Sequence, residues 1–369
     1  MGKSGYGSDK YRFYPPHQTV DRAVVEVVRT LLKQLKSRWF LIALAIALLL
    51  GYTQSSALQP LTEAKWLRQM VVAVVMFLMA LPLGIGAMMH SLKNPVPAML
   101  AVAMNAIAVP LAAWATSVPM GLLSTDMAAG LLIAGATPCT LASAAVWTRR
   151  AGGNDSVALM VTIITNLFCF LTTPFWLSIT TGQQRAADPE NSFTAMATKL
   201  LLLVVAPMAL AQLLRLHRAF AQWATNQKVP IGVSAQAGIL IMVLLGAIGA
   251  GQQMNSNLSE LFGIEIVVMI VAVLVIHVSV LIAGMFLAKA LRQRREDQIA
   301  VGIAGSQKTL MVGLHMAASY FPDTLAMLPM IFYHAGQLLA DTGIADALRK
   351  RGETGQPTNA TTGKSGNPG

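Results

Sequence analysis

A lysine stands inside one of the apolar stretches of the chain, where a charge is costly. Lys308 lies in the run Gly305–Thr309, within the apolar stretch Ile299–Tyr320. An ammonium near the centre of a bilayer costs at least about 2.5–3.5 kcal/mol on insertion scales and is rarely left without a role. We expect Lys308 to attract an anionic ligand, to take the place of a cation, or to titrate. The alternative is a structural lysine bonded to backbone carbonyls.

A proline interrupts a second apolar stretch, Ala128–Thr148. Pro138 removes a backbone donor and frees carbonyl groups that lipid cannot satisfy, so the broken helix requires a cavity or a protein partner. Gly305, which has no side chain, would likewise allow the backbone of the stretch Ile299–Tyr320 to depart from a regular helix. Side chains with hydroxyl or amide groups flank both interruptions: Thr137, Thr140, Ser143, Ser306, Gln307 and Thr309. Two breaks facing each other would form a polar site deep in the membrane; the alternative is a common proline kink relieved by nearby Ser and Thr.

Four further polar residues in apolar stretches are weaker candidates for the same site. Asn105 and Thr162 lie in neighbouring stretches and could reach the crossing. His334 and Gln337 are three residues apart and therefore share a helix face. A histidine bonded to a backbone carbonyl is a better interpretation of His334 than a proton relay.

Metal and redox chemistry have little support in the sequence. The two cysteines, Cys139 and Cys169, lie in apolar stretches and build neither a disulfide framework nor a zinc spacing. We interpret His277 and His315 as structural. No resident cofactor or metal is therefore predicted, and a coupling ion, if one is used, would be a proton or sodium.

The elements that must position these residues are membrane-spanning helices. Hydrophobic residues make up 55% of the chain and charged residues only 12%, whereas about a quarter of a soluble domain is charged. Many apolar stretches are close to the length, about 20 residues, that crosses the hydrocarbon. We predict ten spans: Trp39–Leu58, Val71–Met89, Pro97–Ala115, Ala128–Thr148, Val157–Ile179, Ala195–Leu216, Ile231–Ala250, Ile264–Leu287, Ile299–Tyr320 and Leu325–Ala340.

The distribution of positive charge supports this count. Lys and Arg collect in loops on one side, and only Lys65, Arg68 and Arg185 fall on the other. Cytoplasmic loops attract Lys and Arg, so we predict a plasma (cell inner) membrane protein with both termini in the cytoplasm. The net charge of +11 follows from this orientation, and no basic face with aromatic interleaving indicates nucleic-acid binding.

Ten spans divide into two sets of five, and an odd number makes the second set enter the membrane from the opposite side. We therefore predict inverted repeats at residues 39–182 and 192–348, with the fourth and ninth helices discontinuous. Residues 1–38 form a polar segment with an interfacial helix over Val20–Lys36, and residues 349–369 a disordered tail.

Two ordered motifs resemble the bile acid:sodium symporter family, in its divergent SBF-like branch. The run Thr137–Ala144 followed by Gly152-Gly153-Asn154-Asp155 is similar to the family's proline-containing fourth helix and the turn after it. Gln307-Lys308-Thr309-Leu310, with His334 and Gln337 further on, is similar to the branch's Lys-Thr/Ser-Leu and His-x-x-Gln elements. The resemblance implies a panel domain from helices 1, 2, 6 and 7 and a core in which the broken helices cross.

The sodium site of that family is altered here. The position of its sodium-binding glutamate falls on Ile303, and two further ligand positions fall on Ala144 and Ala158. The retained positions are Ser143, Thr162 and Gln307, with Asn105 in place of a third-helix glutamine. A sodium ion would also meet the charge of Lys308. We therefore expect Lys308 to replace the coupling cation, leaving proton-linked or uncoupled movement.

The predicted function is alternating-access secondary transport of small organic anions, with membrane lipid and the anion as partners. One alternative is a non-transporting membrane regulator or scaffold on the same fold. Another, less favoured, is an intramembrane enzyme, for which the sequence has no His-Glu-x-x-His motif and no Gly-x-Ser-x-Gly elbow. Neither the substrate nor the oligomeric state follows from the sequence.

Overall fold

The computed structural model describes residues 39–84, 94–117, 123–141, 143–180, 192–253, 263–321 and 325–354. Within these ranges the regular structure is helical throughout. The helices are α1 Trp39–Thr53, α2 Ser55–Leu58, α3 Pro60–Glu63, α4 Lys65–Ala80, α5 Val96–Ala103, α6 Val109–Ser117, α7 Thr125–Ala136, α8 Ala144–Arg150, α9 Asp155–Thr180, α10 Phe193–Leu200, α11 Ala206–Leu214, α12 Arg218–Asn226, α13 Lys228–Gln253, α14 Ile264–Ala290, α15 Arg295–Ser306, α16 Leu310–Tyr320 and α17 Leu328–Thr354.

Among the described residues, five helices are long and apolar enough to cross a membrane. They are Val96–Ser117, in which a π-helical turn joins α5 to α6; Phe193–Leu214, in which another joins α10 to α11; and Asp155–Thr180, Lys228–Gln252 and Ile264–Ala290. Shorter apolar helices occupy Trp39–Thr53, Trp66–Ala80 and Thr125–Ala136. The predicted all-helical class is confirmed for the described residues, whereas ten spans in two inverted repeats stay a prediction.

The two predicted interruptions are present in the structure. The fourth stretch is divided between α7, which ends at Ala136, and α8, which begins at Ala144. The ninth is divided between α15, which ends at Ser306, and α16, which begins at Leu310. Each half is far shorter than the hydrocarbon is thick, so a length criterion alone does not find these segments.

Gly305 has a different role from the one predicted. It is helical and fully buried near the end of α15, and the break begins only at Gln307. A β-carbon at Gly305 would lie 2.8 Å from the Met104 β-carbon. Glycine at position 305 thus permits close packing of α15 on the turn after α5. It does not serve to make the backbone flexible at the break.

The last helix also differs from its predicted bounds. It continues to Thr354, well beyond the predicted end of the span at Ala340 and into the segment predicted as a disordered tail. Arg349, Lys350 and Arg351 lie near its end, where positive charge stabilises the negative end of the helix dipole. The proposed interfacial helix over Val20–Lys36 and the tail after Thr354 lie outside the described residues.

The chain divides into two units at Ile46, and every residue discussed below lies in the second, Ala47–Gly369. Within it, α4 packs against α11 and α13, while α15 packs against α5, α9 and α14. Helix α7 packs against α6 and α17. Its contact with the segment before α17 is close, because a β-carbon at Gly130 would lie 2.2 Å from the Ala326 carbonyl oxygen. The two broken segments are therefore held among α5, α9, α14 and α17.

Candidate functional site

The two interruptions meet in space. The Thr309 N–H, just before α16, donates to the Pro138 carbonyl oxygen, between α7 and α8, at 2.9 Å. Neither group has an intrahelical partner of its own at this point, since both lie outside regular helix. A backbone hydrogen bond between two breaks in buried helices defines the crossing, and the candidate residues gather around it.

Helix α9 satisfies the polar backbone of the first break. The Cys139 N–H donates to Thr165 Oγ1 at 3.1 Å, and Asn166 Nδ2 donates to the Cys139 carbonyl at 2.7 Å. Thr162 Oγ1 donates to the Thr140 carbonyl at 3.2 Å, so this predicted residue does reach the crossing. Side chains of α9 thus replace the donors and acceptors that the interrupted helix lacks.

Lys308 is fully buried, and its ammonium lies among oxygen acceptors. Lys308 Nζ donates to the Asn105 carbonyl and the Thr137 carbonyl, both at 2.7 Å, and lies 3.4 Å from Asn105 Oδ1. Thr137 caps the end of α7, and Asn105 belongs to the π-helical turn Met104–Ala108, in which backbone bonds are re-registered. The lysine therefore bonds freed carbonyls as the structural alternative predicts, in the manner of a bound cation.

Two amide side chains fix the backbone around Lys308. Gln337 Oε1 accepts from the Lys308 N–H and Gln337 Nε2 donates to the Lys308 carbonyl, each at 2.8 Å. His334 Nδ1 lies 3.0 Å from Gln337 Nε2, one helical turn away on α17. Asn105 Nδ2 donates to the Gln307 carbonyl at 2.8 Å. The predicted Asn105, His334 and Gln337 are thus all placed at the second break.

A buried carboxylate that the sequence did not single out completes the site. Asp341, on α17, is fully buried. Its Oδ2 accepts a hydrogen bond from Gln307 Nε2, and its Oδ1 lies 2.9 Å from His277 Nε2. Ser143 Oγ donates to Gln307 Oε1 at 3.0 Å. A continuous polar chain therefore runs from Ser143 through Gln307 and Asp341 to His277.

The partners of His277 restrict where its protons lie. His277 Nδ1 is 3.3 Å from the Ser306 carbonyl, which can only accept and therefore selects a proton on Nδ1. The hydroxyl of Tyr333 donates to the same carbonyl at 2.9 Å. Nε2 then faces Asp341, and that hydrogen bond needs one proton, carried either by the imidazole or by the carboxyl group. The two side chains meet in a site without solvent exposure.

Ile303 stands in an apolar environment. It is fully buried in a cluster with Ala151, Leu281, Ile299 and Ala345. A sodium ion needs oxygen ligands, and this cluster offers none from its side chains. The retained hydroxyl and amide groups of Ser143, Thr162 and Gln307 instead bond to protein groups of the crossing.

Polar contacts also join the basic ends of the broken helices. After α8 the chain turns at Gly152, whose φ of +77° favours glycine. The Asn154 N–H donates to the Glu296 carbonyl at 2.9 Å, and Asn154 Nδ2 donates to Asp297 Oδ1 at 2.8 Å. Arg150 forms two hydrogen bonds with Asp346, at 2.7 and 2.8 Å, and this guanidinium lowers the pKa of the carboxyl group. The ends of α8, α15 and α17 are thereby tied together.

Comparison with known protein families agrees with this geometry. The family model of the SBF-like CPA transporter family matches residues 38–350, which include every residue of the crossing. The chain belongs to that family. The resemblance drawn from the two sequence motifs is therefore confirmed, and the chain is a multi-pass membrane protein of a transporter family and not an enzyme.

Individual proteins are also similar to the chain at low identity. Sodium/bile acid cotransporter 7 of Rattus norvegicus is 23% identical over 230 residues, which cover 60% of this chain and 64% of the rat protein. A probable chloroplastic sodium/metabolite cotransporter of Arabidopsis thaliana is 26% identical over 253 residues, 62% of this chain and 54% of its own length. Sodium/bile acid cotransporter 7-B of Xenopus laevis is 20% identical over 328 residues, 86% and 94% respectively. The match thus spans less than two thirds of the rat and Arabidopsis proteins.

Proposed function

We propose that this protein is a secondary transporter that carries a small organic anion together with a proton. The observation that supports this best is the Asp341 carboxylate, which contacts Gln307 at the crossing although the family's sodium-binding glutamate is replaced by Ile303. The site keeps a negative charge, but places it on another helix and beside a histidine. Carboxylate and histidine pairs inside membrane proteins are characteristic of proton relays.

The architecture proposed for transport has ten spans in two inverted sets of five. The matched helix breaks support it, because in inverted-repeat transporters the site forms where discontinuous helices of the two halves meet. The set around α4, α11 and α13 would then form the panel, and the set around α7, α9, α15 and α17 the core. We propose alternating access by movement of one set against the other, in the plasma membrane, with both termini in the cytoplasm.

Charge at the crossing explains why a proton and an anion would move together. With one proton shared by His277 and Asp341, that pair carries no net charge, and the Lys308 ammonium leaves the site with one positive charge. An organic anion neutralises it. When proton and anion have both left, the Asp341 carboxylate balances Lys308. The site is therefore neutral both when loaded and when empty. A neutral site lowers the electrostatic free energy needed to move the core helices through the low-dielectric interior of the membrane.

Sodium is the less favoured coupling ion for the same reason. At this crossing a sodium ion would share the carbonyl oxygens of Asn105 and Thr137 with an ammonium already bound to them. Two positive charges a few ångströms apart repel each other strongly in a medium of low dielectric constant. The ammonium supplies the cation that these carbonyls would otherwise require.

The substrate is proposed to be a small organic anion because of the groups at the crossing. Helix α16 begins at Leu310, so the positive end of its dipole lies directly after Thr309 and close to Lys308 in the chain. Ser143, Gln307 and Gln337 carry neutral donors, which are bonded to protein groups in this structure and would have to turn to the carboxylate oxygens when an anion binds. Carboxylates from short keto acids to conjugated bile acids present this chemistry, and the transport assay must therefore include both.

Flux into proteoliposomes tests the proposal. Uptake of a labelled keto acid, dicarboxylate and conjugated bile acid would be measured with an inward proton gradient, an inward sodium gradient, or neither. We expect uptake of at least one anion to rise with the proton gradient and to be unchanged by the sodium gradient. Uptake driven by sodium, or no uptake of any anion under any gradient, would refute proton-coupled anion transport; the second result would favour the scaffold.

Two aspartates on α17 provide a matched pair of variants. Asp341→Asn keeps the size and the hydrogen bond from Gln307 but removes the exchangeable proton. We expect it to lose uptake driven by the proton gradient while retaining anion exchange between equal pools. Asp346→Asn, which alters the partly exposed partner of Arg150, should keep gradient-driven uptake. Equal proton dependence in both variants would exclude Asp341 as the proton site.

A further inference from the structure

A cavity lies away from the crossing, at the basic end of the core helices. It has a volume of about 530 Å³ and is bounded by α14, the first turn of α15 and the end of α17. Its apolar walls include Leu281, Ile282, Met285, Phe286, Ile344 and Leu348. In the described part of the chain, the polar and charged lining residues are Lys289, Gln298 and Arg351. The cavity thus combines a long apolar surface with two cationic side chains.

The apolar part of the cavity faces the surroundings of the protein as well as its core. Ile282 is 46% exposed and Phe286 63% exposed, both on α14. Because α14 is one of the helices able to cross the membrane, these side chains lie where acyl chains replace water. Lys289 is exposed one turn beyond Met285, in the last turn of the same helix. An occupant entering from the bilayer would meet apolar walls along its length and positive charge at one end.

The cavity is part of a fixed structure. Arg295 Nη2 donates to the Leu348 carbonyl at 2.5 Å and so ties the start of α15 to the end of α17. Gln298 Nε2 donates to the Gln293 carbonyl at 2.7 Å and closes the turn before α15. Met285, Ile344 and Leu348 pack on the cluster that contains Ile303. The walls are therefore built on the same helices that carry the crossing.

We propose that this cavity binds a phospholipid with an anionic headgroup from the adjacent leaflet. Lys289 and Arg351 would contact the headgroup, and Ile282 and Phe286 would contact an acyl chain. Basic pockets between transmembrane helices bind anionic lipid headgroups by this combination of charge and apolar surface. The exposure of Ile282 and Phe286 on a helix able to cross the membrane favours a lipid over an amphipathic anion that arrives from water.

Native mass spectrometry of the full-length protein tests this site. The protein would be purified in detergent and mixed with phosphatidylglycerol or phosphatidylcholine that carry identical acyl chains, and with oleate as a free amphipathic anion. We expect wild type to retain one phosphatidylglycerol in preference to the other two. Equal retention of phosphatidylcholine, or stronger retention of oleate, would overturn the proposal.

Charge-neutralising variants locate the binding. Lys289→Gln with Arg351→Gln should weaken phosphatidylglycerol binding about 30-fold, since each basic residue at a membrane surface contributes about 1 kcal/mol. The control, Arg218→Gln with Lys228→Gln, removes the same charge from exposed positions on α12 and α13. We expect it to bind as wild type does. Equal weakening in both double variants would indicate general charge attraction and overturn the assignment of this cavity.

Discussion

Replacing Lys308 by methionine separates its structural contribution from its proposed role in transport. The change keeps an unbranched side chain, one heavy atom shorter, and removes its charge. Two carbonyl oxygens, those of Asn105 and Thr137, lose a donor at 2.7 Å. Each buried acceptor left without a partner costs about 1–3 kcal/mol. Removing the ammonium restores about 2.5–3.5 kcal/mol, which is the cost of a lysine at the centre of a membrane helix.

The two effects on stability nearly cancel. We expect Lys308→Met to lower the free energy of unfolding by no more than about 3.5 kcal/mol. Loss of a charge-assisted contact with the substrate anion, worth about 1.5–3 kcal/mol, should reduce uptake about 10- to 150-fold. A small change in the thermal midpoint would therefore accompany a large loss of flux.

The assay combines thermal unfolding in detergent with proteoliposome uptake at matched protein density. Lys228→Met, at the exposed start of α13, is the control and should leave both measurements unchanged. Uptake by Lys308→Met within a factor of two of wild type would refute the reasoning, because the ammonium would then have no part in anion movement. Failure of the variant to fold would show that the cost of leaving the two carbonyl oxygens without a donor had been underestimated.

Two further predictions concern stability. Gly305→Ala should lower the free energy of unfolding by about 1–3 kcal/mol, because the added carbon would overpack on Met104. The control, Gly232→Ala, has open space around the added carbon and should be neutral or stabilising. Equal thermal midpoints for the two variants would contradict this prediction. Because Arg150 lowers the pKa of Asp346, the ion pair should stabilise the fold above the ordinary carboxyl pKa of about 3.9 and lose this effect as pH falls through the lowered value. The midpoints of wild type and Asp346→Asn should therefore converge on acidification, and a pH-independent difference would count against the pair.

Local sequence pattern predicted the features of this chain that have local causes. Pro138 lacks the backbone donor that a helix interior requires, and the structure breaks there, although Pro174 lies inside the continuous helix α9. Lys308 inside an apolar stretch requires acceptors, and carbonyls of α7 and of the turn after α5 provide them. The gathering of Asn105, Thr162 and Gln337 at the breaks could be anticipated because unsatisfied backbone groups in lipid need such partners.

Asp341 was missed because its importance arises only from helices distant in sequence. With the last span predicted to end at Ala340, the carboxylate appeared to lie at a helix end, where an aspartate needs no explanation. In the structure α17 continues to Thr354, so the residue is interior. Its partners are Gln307, in the break after α15, and His277, on α14. Treating His277 as structural concealed the pair, and periodicity carries no information on such contacts.

The structural and functional interpretations of Lys308 are compatible. The ammonium stabilises the carbonyl end of α7, where the helix dipole is negative, and this accounts for a buried lysine. It does not account for the buried Asp341 carboxylate, which is hydrogen-bonded to Gln307, the residue before Lys308, and to His277. A structural lysine needs only acceptors, whereas an exchangeable proton beside a fixed charge allows the site to match the charge of an arriving anion. Separate loss of proton dependence in Asp341→Asn and of anion movement in Lys308→Met is the result that this division of roles requires.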